Sequence, residues 1–426
     1  MKYYTIIFAL LISSVTFAQY KNIKVNDKNN RPNETSIAIN PLNPLNIVAG
    51  ANISNYYYTI DGGNTWVNGN LKSKEYGVWG DPCVIFDSQG NSYFFHLAVP
   101  SFEQFIDRIV CQKSTDGGNS WNESGTYTGL NSPKQQDKEW ACADPTRKNY
   151  VYVTWTQFDK YNSKKPEDST NIMFSLSSNA GESWSNALRI NQFAGNCLDS
   201  SNTVEGAIPC VGPDGEIYVV WSGPMGIVLD RSTDGGITWL DEDKPVCNQY
   251  GGWVYDITGL MRCNGMPVTD CDISSGPYRG TIYVHFSDRR NGEDDVDMFL
   301  VKSTDKGSTW SKPKRVNTDQ EGNKRQQFMS WMSVDPITGN VYIIFYDRRN
   351  YTDAKTDVYL ARSTDGGENF RNICISESPF TPDPSIFFGD YTGIDARNDF
   401  AACMWTRMEN GLLSVQYCGI DFKEMK

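Results

Sequence analysis

The sequence predicts an all-β chain in which seven four-stranded sheet units close into a ring. Three observations predict it. A pattern Ser/Thr-x-Asp-x-Gly-x-x-Trp recurs six times, beginning at Thr59, Ser114, Ser177, Ser232, Ser303 and Ser363, with Asn179 and Phe370 as the two substitutions. An apolar strand, a turn and a Tyr-rich second strand recur seven times, the second strands falling at 46–50, 93–96, 152–155, 218–221, 283–286, 342–345 and 400–405. The last unit ends soon after residues 412–417 without an outer strand, and the chain start at 21–26 resembles the outer strands at 188–191 and 314–317. The N-terminal strand is therefore expected to close the last unit, which removes the exposed sheet edges.

Each element has a local reason. In the repeated octet the Asp or Asn oxygen is placed to accept backbone N–H groups further along the turn, and Gly takes a positive φ that a side chain resists. The aromatic then fills the gap between packed sheets. The third strands that lead into it alternate or run apolar, as in 108–113, 297–302 and 357–362. Asn410-Gly411 is a strong two-residue hairpin turn, and pairing outward from it sets Cys403 opposite Cys418, within reach of a disulfide. The other cysteines do not pair from sequence, although Cys247, Cys263 and Cys271 cluster in the long connection 240–272 as a candidate staple.

The octet resembles the Asp box of the sialidase-like β-propellers. The resemblance covers nearly the whole chain after its leader and implies a β-propeller with Asp boxes. The boxes themselves read as folding elements without chemistry. Seven blades are preferred at about 58 residues each, with six as the alternative, and hydrolytic sialidases resemble six-bladed rings.

Residues 1–18 read as a secretory signal, with Lys2 ahead of a short apolar run and Thr16-Phe17-Ala18 before the expected cut at Gln19. The apolar run is too short to span a bilayer, and no later stretch reaches that length. Residues 19–426 then form a single domain, secreted to the periplasm or the medium. The formal charge of −12 removes the electrostatic footprint of a nucleic-acid or anionic-membrane binder. A monomer is expected. There are 11 Cys, an odd number, in a compartment that permits disulfides, and only 2 His, so a zinc site built on several His is excluded. No cofactor is expected. The acidic run 291–297 is the one candidate for a structural calcium ion, and a solvated loop is its simpler reading.

Chemistry is expected where the loops that enter the inner strands meet, at one mouth of the central channel. Those loops carry Arg31, Glu34, Trp79, Asp81, Asp137, Glu205, Arg262, Arg325 and Asp390 among others, and Tyr346 ends a second strand on the same side. What the family resemblance implies is a Tyr nucleophile, a Glu partner, an Asp acid and an arginine clamp on the substrate carboxylate. Carried over residue by residue, Tyr346 resembles the nucleophile, Glu205 its partner, Asp81 the acid, and Arg31 and Arg325 two clamp arginines. Trp221 stands where the family has a further Arg, leaving Arg262, Arg289 or Arg348 as substitutes. Arg289 and Arg348 belong to two Asp-Arg-Arg-Asn copies, whose simpler reading is an Arg fork on Asp297 or Asp357 across a hairpin.

The leading expectation is a glycan-active propeller most like an exo-sialidase, a glycoside hydrolase acting on terminal acidic sugars. One alternative is a non-catalytic propeller that binds glycan or protein. The other is a propeller-type polysaccharide lyase, which requires His96 or His285 to face the mouth. His96 fills a slot held by Trp155, Trp221, Phe286 and Phe345 in other units, so it reads as a packed ring.

Overall fold

The computed structural model describes residues 20–27, 30–101 and 103–424. The leader expected at 1–18 lies outside the described residues. Seven antiparallel four-stranded sheets follow one another around a channel, and the alternative of six is excluded. The inner strands are Ser36–Ile39, Gly80–Phe86, Gln135–Ala143, Glu205–Val211, Val268–Cys271, Gln327–Val334 and Gly393–Arg397. The strand Ile23–Lys24 completes the last sheet by pairing with Leu412–Asp421, Ile23 facing Tyr417. Beyond it Val25 donates to Val415 O at 2.9 Å, and the Asn26 side chain accepts from Val415 N–H at 2.8 Å.

The second strands form the core because both of their faces are covered by neighbouring blades. Their Tyr residues 93, 152, 218, 283 and 342 are at most 1% exposed. Three of these hydroxyls are satisfied by carboxylates, Tyr93 on Asp87, Tyr152 on Asp144 and Tyr342 on Asp399, at 2.7–2.8 Å. The repeated octet is a turn tied in the same way each time. In the first copy Thr59 Oγ1 accepts from Gly63 N–H at 3.1 Å and donates to Asp61, whose Oδ1 accepts from Thr65 N–H at 2.9 Å. The aromatic that follows packs on the preceding blade: Trp66 on Tyr417, Trp184 on Phe95 and Trp239 on Phe174, at 5.0, 5.6 and 4.8 Å between centroids.

Blades are also stitched to each other beside the channel. A side chain on one inner strand accepts a backbone N–H of the next: Ser36 from Val84, Cys83 from Ala141, Asp270 from Val334, Ser333 from Ala396, and Asp395 from Ile39, at 2.7–3.3 Å. The last of these joins the seventh blade to the first. Asp270 is thus a strut between blades.

Three expectations change. Cys403 and Cys418 do face each other in register, yet all 11 cysteines are free thiols, and the 247/263/271 cluster forms no staple. Counting back from the Asn410-Gly411 turn makes 403/418 a hydrogen-bonded pair, the wider of the two antiparallel geometries, which suits a disulfide less well. The Arg forks close on their own loops: Arg290 on Asp288 and Arg349 on Asp347, at 2.6 Å, while Asp297 is held by Arg315 and Asn317 and Asp357 by Tyr351 and Ser376. In the acidic run, Asp297 is therefore committed to cations and amides, and Asp295 accepts from Gly322 N–H at 2.9 Å. Among the described residues no group of three or more His, Cys, Asp or Glu is arranged to hold a metal ion.

Candidate functional site

A β-bulge opens four of the inner strands, and it aims the residues that matter. The register slips between Gly80 and Cys83, Asp137 and Trp140, Glu205 and Ile208, and Phe328 and Trp331. In each slip one residue takes a positive φ: Asp81 at 55°, Lys138 at 51°, Gly206 at 74° and Met329 at 43°. Glu34, just ahead of the first blade, does so at 54°. A left-handed conformation costs a non-glycine residue roughly 1–2 kcal/mol, and bulges next to sites re-aim side chains. At the fourth blade Gly is required for space as well, since a Cβ on Gly206 would lie 2.8 Å from the Met266 sulfur.

The bulges surround a cavity of about 470 Å³ at the channel mouth. Six carboxyl groups line it, from Glu34, Asp81, Asp137, Asp199, Glu205 and Asp390, against two cations, Lys138 and Arg262. Arg262 arrives on an excursion between the fourth and fifth blades, the two-stranded ribbon of Val254–Tyr255 and Cys263–Asn264. The ribbon is pinned across the mouth. Trp253 Nε1 donates to Thr203 O at 3.1 Å, Asn264 Nδ2 to Asp390 O at 2.9 Å, and Arg262 forks onto Asp390, with Nε at 2.9 Å. Asp199 accepts from the Tyr161 hydroxyl at 2.7 Å. Asn52 ties two acids together, accepting from Asp81 N–H at 2.8 Å and donating to the Glu34 carboxyl.

The channel is plugged beneath the cavity. Trp140 and Trp331 pack at a tilt of 43° with ring centres 4.2 Å apart, Tyr391 lies edge-on to Trp140, and the Lys138 ammonium lies 3.8 Å from the Tyr391 ring centre. The two Trp also line a separate cavity of about 290 Å³ on the far side.

Burial dominates the electrostatics. Desolvation, and then neighbouring carboxylates, hold Glu34, Asp137 and Glu205 well above the usual carboxylate range. Glu139, 1% exposed behind the wall, is raised for the same reasons and neither of its oxygens has a partner. Asp81 is also raised by burial, with the Lys138 charge as the largest opposing influence. Glu205 is 4% exposed, and its Oε2 has no hydrogen-bond partner.

The structure thus brings together Asp81 and Glu205 of the residues read from sequence, with Glu34, Trp79, Asp137, Arg262 and Asp390 from the same loops. Tyr346 does not line the cavity. It is 1% exposed between Phe328 and Phe388, and its hydroxyl donates to Thr406 O at 2.9 Å and accepts from Thr406 N–H at 3.0 Å. The four substrate arginines also stand elsewhere. Arg31 is exposed and Arg325 half-buried, both outside the lining. Arg289 donates to Gly251 O at 3.0 Å and Arg348 to Thr258 O at 2.8 Å, so both brace the ribbon excursion from below. Both His are fully buried. His96 binds Leu97 O and His285 bridges Phe299 O and Ser330, so neither faces the mouth and the lyase reading loses its base.

Lys138, Asp199, Tyr161 and Asn52 were not singled out from sequence. A signal was present for Lys138: Asp137-Lys-Glu-Trp140 and Gly80-Asp-Pro-Cys83 occupy the same place at the head of an inner strand. Asn52, Tyr161 and Asp199 lie in connections whose path no pattern in the chain reveals.

Neither a family model nor a curated protein matches this chain. Solved structures do. The microbial sialidase Hz136 (Hadza) aligns with a TM-score of 0.50 at 13% identity, over 89% of this chain and 74% of that one. A protein of unknown function from Dyadobacter fermentans aligns with a TM-score of 0.51 at 10% identity, over 94% and 98%. YCF48 bound to a D1 peptide aligns with a TM-score of 0.49 at 12% identity, over 95% and 96%. At such identities the likeness is one of fold. With seven closed blades and the likeness to the first two of these structures, the chain has the sialidase-like β-propeller fold.

Proposed function

We propose that the protein is a secreted glycoside hydrolase that works through carboxyl groups at the channel mouth. The observation that carries this reading is the unequal pair in one cavity: Glu205, buried with an unpartnered oxygen, and Asp81, half-buried and opposed by Lys138. Paired carboxyl groups in unlike surroundings divide the acid and base roles between them. Burial favours the protonated form of Glu205, the form a general acid needs. Glu205 then protonates the leaving glycosidic oxygen as the bond to the anomeric carbon breaks. The Asp81 carboxylate takes a proton from the attacking water, and the sum is addition of one water across the bond. Trp79, 43% exposed and held edge-on to Phe105 at 4.7 Å, offers a face for a sugar ring at the rim.

The exo-sialidase reading draws on the same Asp81 and Glu205. It is the less supported form, because Arg31, Arg289, Arg325 and Arg348 supply no clamp in this cavity and the lining has a surplus of acids. The test is turnover of a panel of fluorogenic glycosides, neutral, amino and sialyl, by the purified protein without its leader. Turnover lost by at least a hundredfold in Glu205→Gln and Asp81→Asn supports the reading. Unchanged turnover in both variants, or none from the wild type on any glycan, defeats it. Binding without product favours the non-catalytic propeller.

A further inference from the structure

Resting on the glycan reading above, we infer that the sugar held in the mouth cavity carries a free amino group, as in a de-N-acetylated glucosamine chain, and enters as a cation. The lining has six carboxyl groups and two basic side chains, and both bases are already committed. Arg262 forks onto Asp390 and lies 4.0 Å from Asp199. The Lys138 ammonium sits over aromatic rings, 3.8 Å from the Tyr391 centre and 5.1 Å from that of Trp140. Six acids against two bases leave the lining with a surplus of acids, which a basic sugar matches and an acidic one does not.

A second observation points to a ligand independently of the acid count. Glu205 is 4% exposed, lines the cavity, and its Oε2 has no partner in the protein. A buried carboxyl oxygen without a donor is costly unless something else supplies one. A metal ion fits poorly, because no three of the acids among the described residues are arranged to hold one. The acids instead line a cavity with apolar walls at Ile53, Trp79, Phe105 and Trp253, which suits an amphipathic organic cation. The face of Trp79 at the rim adds a stacking surface that attracts a positively charged ring substituent.

The site is also primed to exchange protons. Burial and mutual repulsion keep Glu34, Asp137 and Glu205 from ionising readily. Around them stand Asp81, Asp199, Asp390, Lys138 and Arg262, with the Tyr161 hydroxyl on Asp199. An arriving ammonium favours the ionised forms of Glu34 and Asp137 and drives their protons into solvent, while Glu205 keeps its proton for the leaving oxygen and presents its unpartnered Oε2 to the sugar. An arriving sugar carboxylate has the opposite effect and draws protons in.

The experiment is calorimetric titration of the protein without its leader with a glucosamine tetrasaccharide, its N-acetylated counterpart, sialyl-lactose and a lysine-rich peptide. Each titration is run in two buffers of different ionisation enthalpy, so that protons are counted. The glucosamine chain is expected to bind at least tenfold more tightly than the acetylated one, with net proton release, and Asp137→Asn to weaken it at least fivefold. The wild-type ligand series and proton count stand even where the variant does not fold. Equal or tighter binding of the acetylated chain or of sialyl-lactose, or proton uptake with the glucosamine chain, overturns the inference while leaving the glycan reading intact. Binding of the peptide alone, or of nothing, overturns both.

Discussion

Asp395 closes the ring from the inside, and its ionisation is predicted to set part of the pH dependence of stability. Its Oδ2 accepts the Ile39 N–H at 2.7 Å and its Oδ1 the Ala396 N–H at 2.8 Å. Burial pushes its pKa from 3.8 up to about 6. The folded chain therefore holds this proton more tightly than the unfolded chain does. The corresponding stability is fully present below the unfolded value and is lost as pH rises through the folded one. A shift of about two units at roughly 1.4 kcal/mol each amounts to about 3 kcal/mol, and about half of that falls between pH 5 and pH 8. Asp395→Asn keeps an acceptor for Ile39 N–H and has no proton to lose. Urea unfolding followed by Trp fluorescence, for wild type and variant at both pH values, isolates the contribution: the other carboxyl groups cancel in the difference except Asp270, whose repulsion by Asp395 is relieved and adds in the same direction. The variant should gain on the wild type by about 1.5 kcal/mol from pH 5 to pH 8. A difference that stays constant, or moves towards the wild type, refutes the reasoning.

Other outcomes follow from the same contacts. Burial raises Asp230 and Asp270 to about 7, so the wild type itself should melt at a lower temperature at pH 8 than at pH 5. Scanning calorimetry checks the direction. Gly63→Ala should destabilise the ring by about 3 kcal/mol or more, measured as a drop in denaturation midpoint. The added Cβ would lie 2.1 Å from Tyr417 Cε1, at a residue whose φ is +91°. Tyr346→Phe should leave any glycosidase activity within about twofold of wild type, because its hydroxyl serves the Thr406 backbone outside the cavity. A loss of a hundredfold in steady-state turnover would restore the tyrosine to the chemistry.

The ring was legible because its information is repeated and local. Six copies of one turn and seven of one hairpin leave little freedom, and the match between residues 21–26 and other outer strands placed the closing strand on the last blade, where it pairs. Register was equally legible at 403/418, where a two-residue turn fixes every pair beyond it. The site was legible only as a set of loop heads. Asp81 and Glu205 sit at the start of inner strands, so their place followed from the repeat. Tyr346 and the four arginines were assigned by resemblance, and resemblance does not report where a bulge turns a side chain. Lys138 and Asp81 depend on positive φ at non-glycine residues, which composition does not announce. Arg262 depends on how an excursion between two blades folds back across the mouth, and no periodic pattern governs that path.

The closing strand is the first part of the ring to be synthesised, and Asn26 meets its partner Val415 across 389 positions of chain. Until the last hairpin exists, the first blade and the seventh each present a raw flank to their surroundings. Assembly therefore ends with a contact between the two ends of the chain, of very high sequence separation and so slow to find. The half-made ring is the species most exposed to mispairing with a second copy. Trimming the few residues ahead of Val25 is thus a kinetic intervention as much as a structural one, acting on how long the ring stays open.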